Sequence, residues 1–128
     1  METEQPTDEQ LDEFLSGLDS DVAAMTRAVR VKLLEVFPGA IETAEGGELG
    51  LGFDRGYAGL VFTVSPQRGY VNLGVARGAS LDDPAGLMEG RGRVHRHVKI
   101  RDADQLDDVA LGDLLGRALA ARRVETGT

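Results

Sequence analysis

The sequence predicts one α+β domain in which helices cover one face of an antiparallel sheet. Apolar residues recur at helical spacing near both ends of the chain. The middle alternates apolar residues with polar residues or glycine in short runs separated by turns. Helices, then a run of strands, then a helix is an order typical of α+β folds. At 128 residues, the chain can bury about two thirds of the surface that it exposes when unfolded.

Two helices are expected first, after a disordered lead-in at residues 1–6. Thr7 suits the N-cap of the first helix, and Gln10 completes a capping box. Ser20 is expected to cap a longer second helix, which Pro38 ends because the residue before a proline is pushed out of the helical region. The predicted core faces of the two helices are Leu11, Phe14, Leu15 and Leu18, and then Val22, Met25, Val29, Leu33 and Val36.

About five short strands joined by tight turns are expected to form an antiparallel meander. Ile41 and Thr43 belong to an edge strand, and two strands follow near residues 48–53 and 57–64. In the latter, alternation places Leu60, Phe62 and Val64 on one face. A fourth strand covers residues 71–75, and the fifth is expected at residues 93–101.

The last helix is expected to open at Asp107 and Asp108 and to pack on one face of the sheet. Gly112 and Gly116 lie on one side of it, which indicates a close approach of a neighbouring backbone and leaves a homodimer contact open. The single domain is thus predicted at residues 7–124, with a frayed tail at residues 125–128.

Composition excludes several chemistries. The chain has no cysteine, so it has no disulfide, thiolate metal site or cysteine nucleophile. A sequence pI near 4.7 makes nucleic acid an unlikely partner, because neutralising phosphates needs an excess of lysine and arginine. The sequence shows neither a membrane span nor a secretion signal, and a cytoplasmic location is expected. No nucleophile elbow surrounds any serine, which favours a non-enzymatic protein without a cofactor.

A basic segment stands out in a chain whose formal net charge is −8. Residues 91–101 hold five basic side chains and no acid, and they include both histidines of the protein. Glycines there let backbone N–H groups approach an anion, so this face is expected to bind a small anionic ligand or an acidic protein partner. The predicted ligand-binding residues are Gly90, Arg91, Gly92, Arg93, Arg96 and His97.

The two histidines lie two positions apart on the predicted fifth strand, so their side chains share a face. Together they could converge on a metal ion, but no third ligand is evident in the sequence, and a solvated strand face is favoured. Alternation places Arg96 on the same face as the core residues of this strand. Either its stem is buried and its head lies in water, or it pairs with a buried carboxylate.

The block from Asp83 to Gly90, Gly92-Arg93 and Arg96-His97-Val98-Lys99 resembles the C-terminal signature of the YdhG-like family of domains of unknown function. The resemblance implies a small α+β domain with helices on one side of an antiparallel sheet. The stretch from Ala44 to Gly52 departs from the family pattern, since it lacks the usual proline and aromatic residue. A pocket lined by that stretch would be altered here.

Part of this family is described as frataxin-like, with an iron-chaperone role. The resemblance therefore implies an alternative function, iron binding by exposed carboxylates of the first helix. The candidate carboxylates are Asp8, Glu9, Asp12 and Glu13.

Overall fold

A computed structural model describes residues 6–128 and shows three α-helices and a five-stranded sheet. All neighbouring strands are antiparallel and follow one another in chain order, which leaves β1 and β5 at the edges. The predicted fold class is confirmed. The elements are α1 (Asp8–Leu15), α2 (Ser20–Val36), β1 (Ile41–Glu45), β2 (Glu48–Gly52), β3 (Leu60–Pro66), β4 (Val71–Val75), β5 (Arg96–Ile100) and α3 (Val109–Thr126). Apart from Pro6, the predicted lead-in lies outside the described residues.

The core lies between the helices and one face of the sheet. Alternating residues of the central strands are fully buried, and Phe62 and Val64 of β3 lie opposite Val75 and Leu73 of β4. Helical residues at a spacing of three or four cover them. The buried helical residues include Val29 and Leu33 of α2 and Leu114 and Leu115 of α3. None of the described helices is both long and apolar enough to cross a membrane.

The first helix begins as the sequence predicts. The Thr7 hydroxyl accepts the backbone N–H of Gln10 at 3.1 Å, and the Gln10 side chain accepts that of Thr7 at 2.8 Å. The second helix differs from the expectation, because Asp19 is its N-cap and Ser20 is already helical. Its buried face includes Thr26, whose hydroxyl donates to the carbonyl of Val22 and so satisfies a polar group inside the core.

The C-terminal helix is longer than predicted. Asp108 caps it by accepting the N–H of Ala110 at 2.9 Å, and the helix runs through the expected tail to Thr126. Gly127, with a φ of +72°, ends it in the left-handed conformation that favours glycine. Within the described part of the chain no backbone approaches Gly112 or Gly116 closely, since a Cβ at either position would meet nothing within 4 Å. A homodimer contact at these glycines stays a prediction.

The third strand contains a bulge that the alternation rule does not anticipate. Register with β2 shifts between Leu51 and Gly52, so that Gly52 lies opposite Leu60. An extra residue in β3 reverses the alternation of side chains from one side of the bulge to the other. Val61 is therefore fully buried, whereas Leu60 turns to the other face and lies 3.2 Å from the Cβ position of Gly50. The prediction that Leu60 shares a face with Phe62 and Val64 is wrong.

The fifth strand is shorter than predicted because its first residues serve a loop. The carbonyl of Val94 accepts the N–H of Ala79 at 2.9 Å, and the carbonyl of Gly92 accepts a guanidinium N–H of Arg96. These bonds hold residues 92–95 outside the ladder with β4. Val94, expected inside, is 43% exposed.

An ion pair ties α2 to the edge strand β1. Arg30 donates to Glu42 through Nε at 2.6 Å and through Nη2 at 2.9 Å, and the Glu42 carboxylate is buried beneath the helix. The hydrogen bond to Glu42 raises the pKa of Arg30 above its ordinary value, although partial burial acts in the opposite direction. The guanidinium therefore keeps its charge throughout the accessible pH range.

Candidate functional site

The sheet face opposite the core, called here the open face, is lined by small and polar side chains. Its middle row runs straight across the sheet through paired positions of all five strands. Two glycines in that row leave a hollow, and the Thr63 hydroxyl occupies the space that a Cβ at Gly74 would need. The row consists of Thr43, Gly50, Thr63, Gly74 and His97.

A cavity of about 350 Å³, called here the open-face cavity, lies over this hollow and towards β5. Its floor includes Gly74 and Thr63, and Leu60 reaches it because of the bulge in β3. Both histidines line it, together with Tyr57 from the loop that precedes β3. An apolar floor with a few convergent polar groups is characteristic of small-ligand sites.

One end of the cavity presents hydrogen-bond acceptors. Asn72 lies on β4, and its buried Oδ1 has no hydrogen-bond partner among the described residues. Glu48 of β2 lies nearby, where one carboxylate oxygen accepts the Ser65 hydroxyl at 2.8 Å. Within residues 6–128, no lysine or arginine pairs with Glu48. The Asn72 Oδ1 is shielded from the cavity, so the exposed carboxylate of Glu48 is the acceptor that a ligand at this end can reach.

The other end is built on a directed series of hydrogen bonds. The backbone N–H of Arg77 donates to Nδ1 of His95 at 2.9 Å. Nδ1 is therefore the unprotonated nitrogen of a neutral imidazole, and Nε2 carries the proton. Nε2 donates to the Tyr57 hydroxyl oxygen, which leaves the hydroxyl proton free to point onward. Tyr57 is consequently oriented as a donor towards a ligand.

The first donor of this series, the backbone N–H of Arg77, belongs to a residue with an unusual backbone conformation. Arg77 is the one non-glycine residue with a positive φ, +59°, in residues 6–128. That left-handed conformation is unfavourable for a side-chain-bearing residue. The Arg77 N–H lies just beyond the end of β4 and donates to His95.

The loop that carries Tyr57 is anchored from the C-terminal helix. The guanidinium of Arg122 is buried and donates from Nε to the Leu60 carbonyl at 3.0 Å and from Nη2 to the Ala58 carbonyl at 2.6 Å. Asp54 closes the same loop by accepting the N–H of Gly56 at 2.7 Å. These contacts fix the backbone on both sides of Tyr57, a residue that is itself 73% exposed.

A second cavity, of about 580 Å³, shares Tyr57 and His95 with the first. It extends towards α3 and is lined by Arg122 and Glu125, which are paired at 3.0 Å. The hydrogen-bonded rings of Tyr57 and His95 therefore form a wall between the two cavities. Their ring centroids lie 5.6 Å apart in an edge-to-face arrangement.

The structure divides the predicted ligand-binding residues into two groups. His97 and Arg96 line the open-face cavity, and Gly90 lies against the His97 ring, with its Cβ position 3.5 Å from that ring. The imidazole of His97 makes no hydrogen bond within residues 6–128 and is free for a ligand. The exposed loop residues Arg91, Gly92 and Arg93 do not line the cavity.

Neither expectation for Arg96 describes its whole environment. Its Nη1 donates to the carbonyls of Gly92 and, at 3.1 Å, His95, so it pairs with backbone instead of a buried carboxylate. The Cβ lies in a crowded spot, 3.1 Å from the Cβ position of Gly78. Arg96 thus holds the loop before β5 in place and adds positive charge beside the cavity.

The described residues assemble neither of the two metal-ligand sets considered from the sequence, the histidine pair and the α1 carboxylates. His95 and His97 line one cavity, but both nitrogens of His95 are already engaged. On α1, Asp12 pairs with Arg27 at 2.7 Å. Within residues 6–128, no group of three or more histidine, aspartate or glutamate side chains is placed to hold a metal ion. The iron-binding alternative stays a prediction.

Sequence reasoning missed Tyr57, Asn72 and Glu48, and a signal existed for one of them. Asn72 interrupts the apolar run of β4 on the face opposite the core, where a polar residue is ordinarily solvated. Its burial depends on Ser65 and Lys99 in the adjoining strands, which no local pattern reveals. Tyr57 lies in a loop and meets His95 38 residues later in the chain.

Comparisons with models of known protein families, with curated proteins and with solved structures found no match to this chain. The resemblance to the YdhG-like family therefore stays a prediction.

Proposed function

We propose that this protein is a non-enzymatic binding protein for a small carboxylate-bearing molecule, which it holds in the open-face cavity. The observation that carries the proposal is the directed series from Arg77 through His95 to Tyr57. It supplies an oriented O–H donor beside the unpaired imidazole of His97. Two such donors suit the two oxygens of a carboxylate.

The size of the cavity favours a small molecule over a protein partner. Its volume of about 350 Å³ lies near the lower end of the range of about 300–1,000 Å³ that small-ligand sites occupy. The floor formed by Gly74 and Thr63 is concave, a shape that suits a small molecule.

Charge favours a single negative charge on the ligand. Arg96 lies beside the cavity, and the exposed Arg91 and Arg93 raise the potential around its rim. Glu48 lines the opposite end and opposes a second negative charge. A monocarboxylate therefore fits better than a phosphate dianion.

The geometry supports binding more than catalysis. Both nitrogens of His95 are held in structural hydrogen bonds, so this imidazole is not free to take a proton from a substrate. His97 is free, but no described side chain hydrogen-bonds to it as an orienting partner of the kind that nucleophile–base pairs use.

Titration with butyrate, followed by ligand-observed NMR, tests the proposal. Replacing Tyr57 by phenylalanine or His97 by alanine should each weaken binding by roughly tenfold, the effect of losing one hydrogen bond to a charged group. The matched control replaces Arg91 and Arg93 together by alanine, which should weaken binding only modestly and reduce its dependence on salt. Absence of butyrate binding, or a loss confined to the Arg91/Arg93 variant, contradicts the proposal.

A further inference from the structure

We infer that the ligand is an elongated monocarboxylate, an unbranched fatty acid of about eight to twelve carbons whose chain lies across the strands of the sheet. This inference rests on the proposed function and specifies the ligand class of the same site. It follows from the continuation of the open-face cavity beyond Thr63 towards β1.

The open-face cavity runs into an adjoining cavity of about 200 Å³ on the same face of the sheet. The adjoining cavity extends over Gly50 towards the edge strand β1. The two cavities share the lining residues Glu48, Tyr57, Leu60 and Thr63. They therefore form one depression, called here the trough, that crosses the sheet from β5 to β1.

The floor of the trough is low because two residues of the middle row have no side chain. Gly74, Thr63 and Gly50 follow one another in register across β4, β3 and β2. The rows on either side carry larger side chains, such as Glu48 on one side and Tyr57 on the other. A narrow, unbranched chain is the shape that fits along such a floor.

Leu60 supplies the apolar contact that an alkyl chain needs. The bulge in β3 turns this side chain onto the open face, where it lines both halves of the trough. Its Cδ1 lies 3.2 Å from the Cβ position of Gly50, so the side chain reaches over β2. Methylene groups lying against Leu60 would remove apolar surface from water, which is favourable.

The charges around the far half of the trough favour an uncharged end of the ligand there. Among the described residues, Glu45, Glu48 and Arg55 line this half, two acids and one base. Glu45 and Glu48 are register partners that lie two positions, about 7 Å, along their strands from the middle row. They therefore border the floor and oppose a second carboxylate at this end.

The spacing of the strands sets the length of the chain. His97 on β5 and Gly50 on β2 belong to the same row and lie three strand spacings apart, about 14 Å. An extended alkyl chain advances by about 1.3 Å for each carbon–carbon bond, so eight to twelve carbons reach from the carboxylate end into the half over Gly50. Butyrate extends by only about 4 Å and stays within the open-face cavity.

The test measures the affinities of butyrate, hexanoate, octanoate and decanoate by ligand-observed NMR, below the concentrations at which these acids form micelles. We expect the affinity to rise about twofold with each added CH₂ group, because an open trough covers only part of the chain. Decanoate should thus bind roughly fiftyfold more tightly than butyrate. The compound 1-octanol, which lacks the carboxylate, should bind roughly tenfold more weakly than octanoate.

Gly50→Val tests where the chain lies, because it fills the floor over β2 at a distance from Tyr57 and His97. A Cβ there would approach only the ends of the Thr43 and Leu60 side chains, which can turn aside. The variant should bind decanoate roughly tenfold more weakly and leave butyrate binding unchanged. Thr43→Val is the matched control, since it keeps the shape of a side chain at the same end and should keep the preference for decanoate.

A map of amide chemical shifts of the unaltered protein gives a second measurement. Decanoate should cause changes at Gly50 and Leu60 that butyrate does not cause. Equal affinities of butyrate and decanoate, a gain with chain length that Gly50→Val leaves untouched, or a gain without changes at Gly50 and Leu60 overturns the fatty-acid inference and leaves the proposed function standing. Failure of all four acids to bind overturns both proposals. Binding of 1-octanol as tight as that of octanoate also overturns both, because the carboxylate is then not recognised.

Discussion

Tyr57 and His95 are joined by a hydrogen bond across 38 positions of the chain, and their rings form the wall between two cavities. The bond has a defined direction because the backbone N–H of Arg77 occupies the other nitrogen of the imidazole. In this hydrogen bond the imidazole N–H of His95 is the donor and the Tyr57 oxygen is the acceptor. The proton of the Tyr57 hydroxyl is left for a ligand.

The first prediction concerns the tautomer of His95. Long-range proton–nitrogen correlation NMR at neutral pH should show an imidazole protonated at Nε2 and bare at Nδ1, because Nδ1 accepts the N–H of Arg77. Protonation at Nδ1 at neutral pH would contradict the geometry.

The second prediction concerns Arg122, which anchors the loop carrying Tyr57 from α3. Replacing it by methionine keeps an apolar stem but leaves the carbonyls of Ala58 and Leu60 without their donor. We expect the free energy of unfolding, measured by urea denaturation, to fall by about 2 kcal/mol. Amide exchange near Tyr57 should also accelerate. A variant as stable as the parent would show that the two carbonyl contacts contribute little.

The third prediction concerns the pair formed by Arg30 and Glu42. The Glu42 side chain is 3% exposed and that of Arg30 is 26% exposed. Replacing Arg30 by methionine should therefore destabilise the protein by about 2 to 3 kcal/mol, as expected when a buried carboxylate loses a charged donor that makes two hydrogen bonds to it. Replacing Glu42 by leucine as well should recover much of this loss.

The pH dependence of the same pair follows from the raised pKa of Arg30. Because the pKa is raised in the folded state, the charged guanidinium contributes its full stabilisation at any pH below the ordinary arginine pKa. The contribution is lost only as the pH rises through the higher pKa of the folded state. Both values lie above the range in which the protein can be studied. The Arg30→Met effect should thus be equal at about pH 7 and about pH 9, both far below the ordinary arginine pKa. A clear difference between the effects at the two pH values would show that another titrating group causes the loss of stability.

The fourth prediction compares two glycines. A Cβ at Gly116 on α3 would meet nothing within 4 Å in the part of the chain that the structure describes, so Gly116→Ala should raise the free energy of unfolding by up to about 1 kcal/mol through helix propensity. A Cβ at Gly52 would lie 2.6 Å from the backbone oxygen of Gly59, which cannot move independently, so Gly52→Ala should be destabilising. Thermal unfolding of both variants measures the two stability changes. Stabilisation by Gly52→Ala would contradict the close approach of the Gly52 and Gly59 backbones at the bulge.

The elements that sequence predicts well are those fixed by local interactions. The capping box of Thr7 and Gln10 and the cap at Asp108 involve residues within three positions of each other, so the sequence reveals them. Alternation along β4 likewise reveals its buried face. The order of short strands and turns was enough to predict the meander.

The site was harder to predict because distant contacts create it. The bulge that redirects Leu60 depends on the pairing of β3 with β2, and the position of Tyr57 depends on Arg122 from the end of the chain. The basic segment drew attention to Arg91 and Arg93, yet the structure leaves both outside the cavity. The density of positive charge in the sequence indicated the right region of the chain. Which of its residues line the cavity, as His97 does, depends on the fold.

The most direct test of the central claim is a map of amide chemical shifts of the nitrogen-15-labelled protein during titration with butyrate. We expect changes that saturate and concentrate at Tyr57, Gly74 and His97. Changes confined to the α1 carboxylates or to Arg91 and Arg93, or an unchanged spectrum, would contradict ligand binding in the open-face cavity.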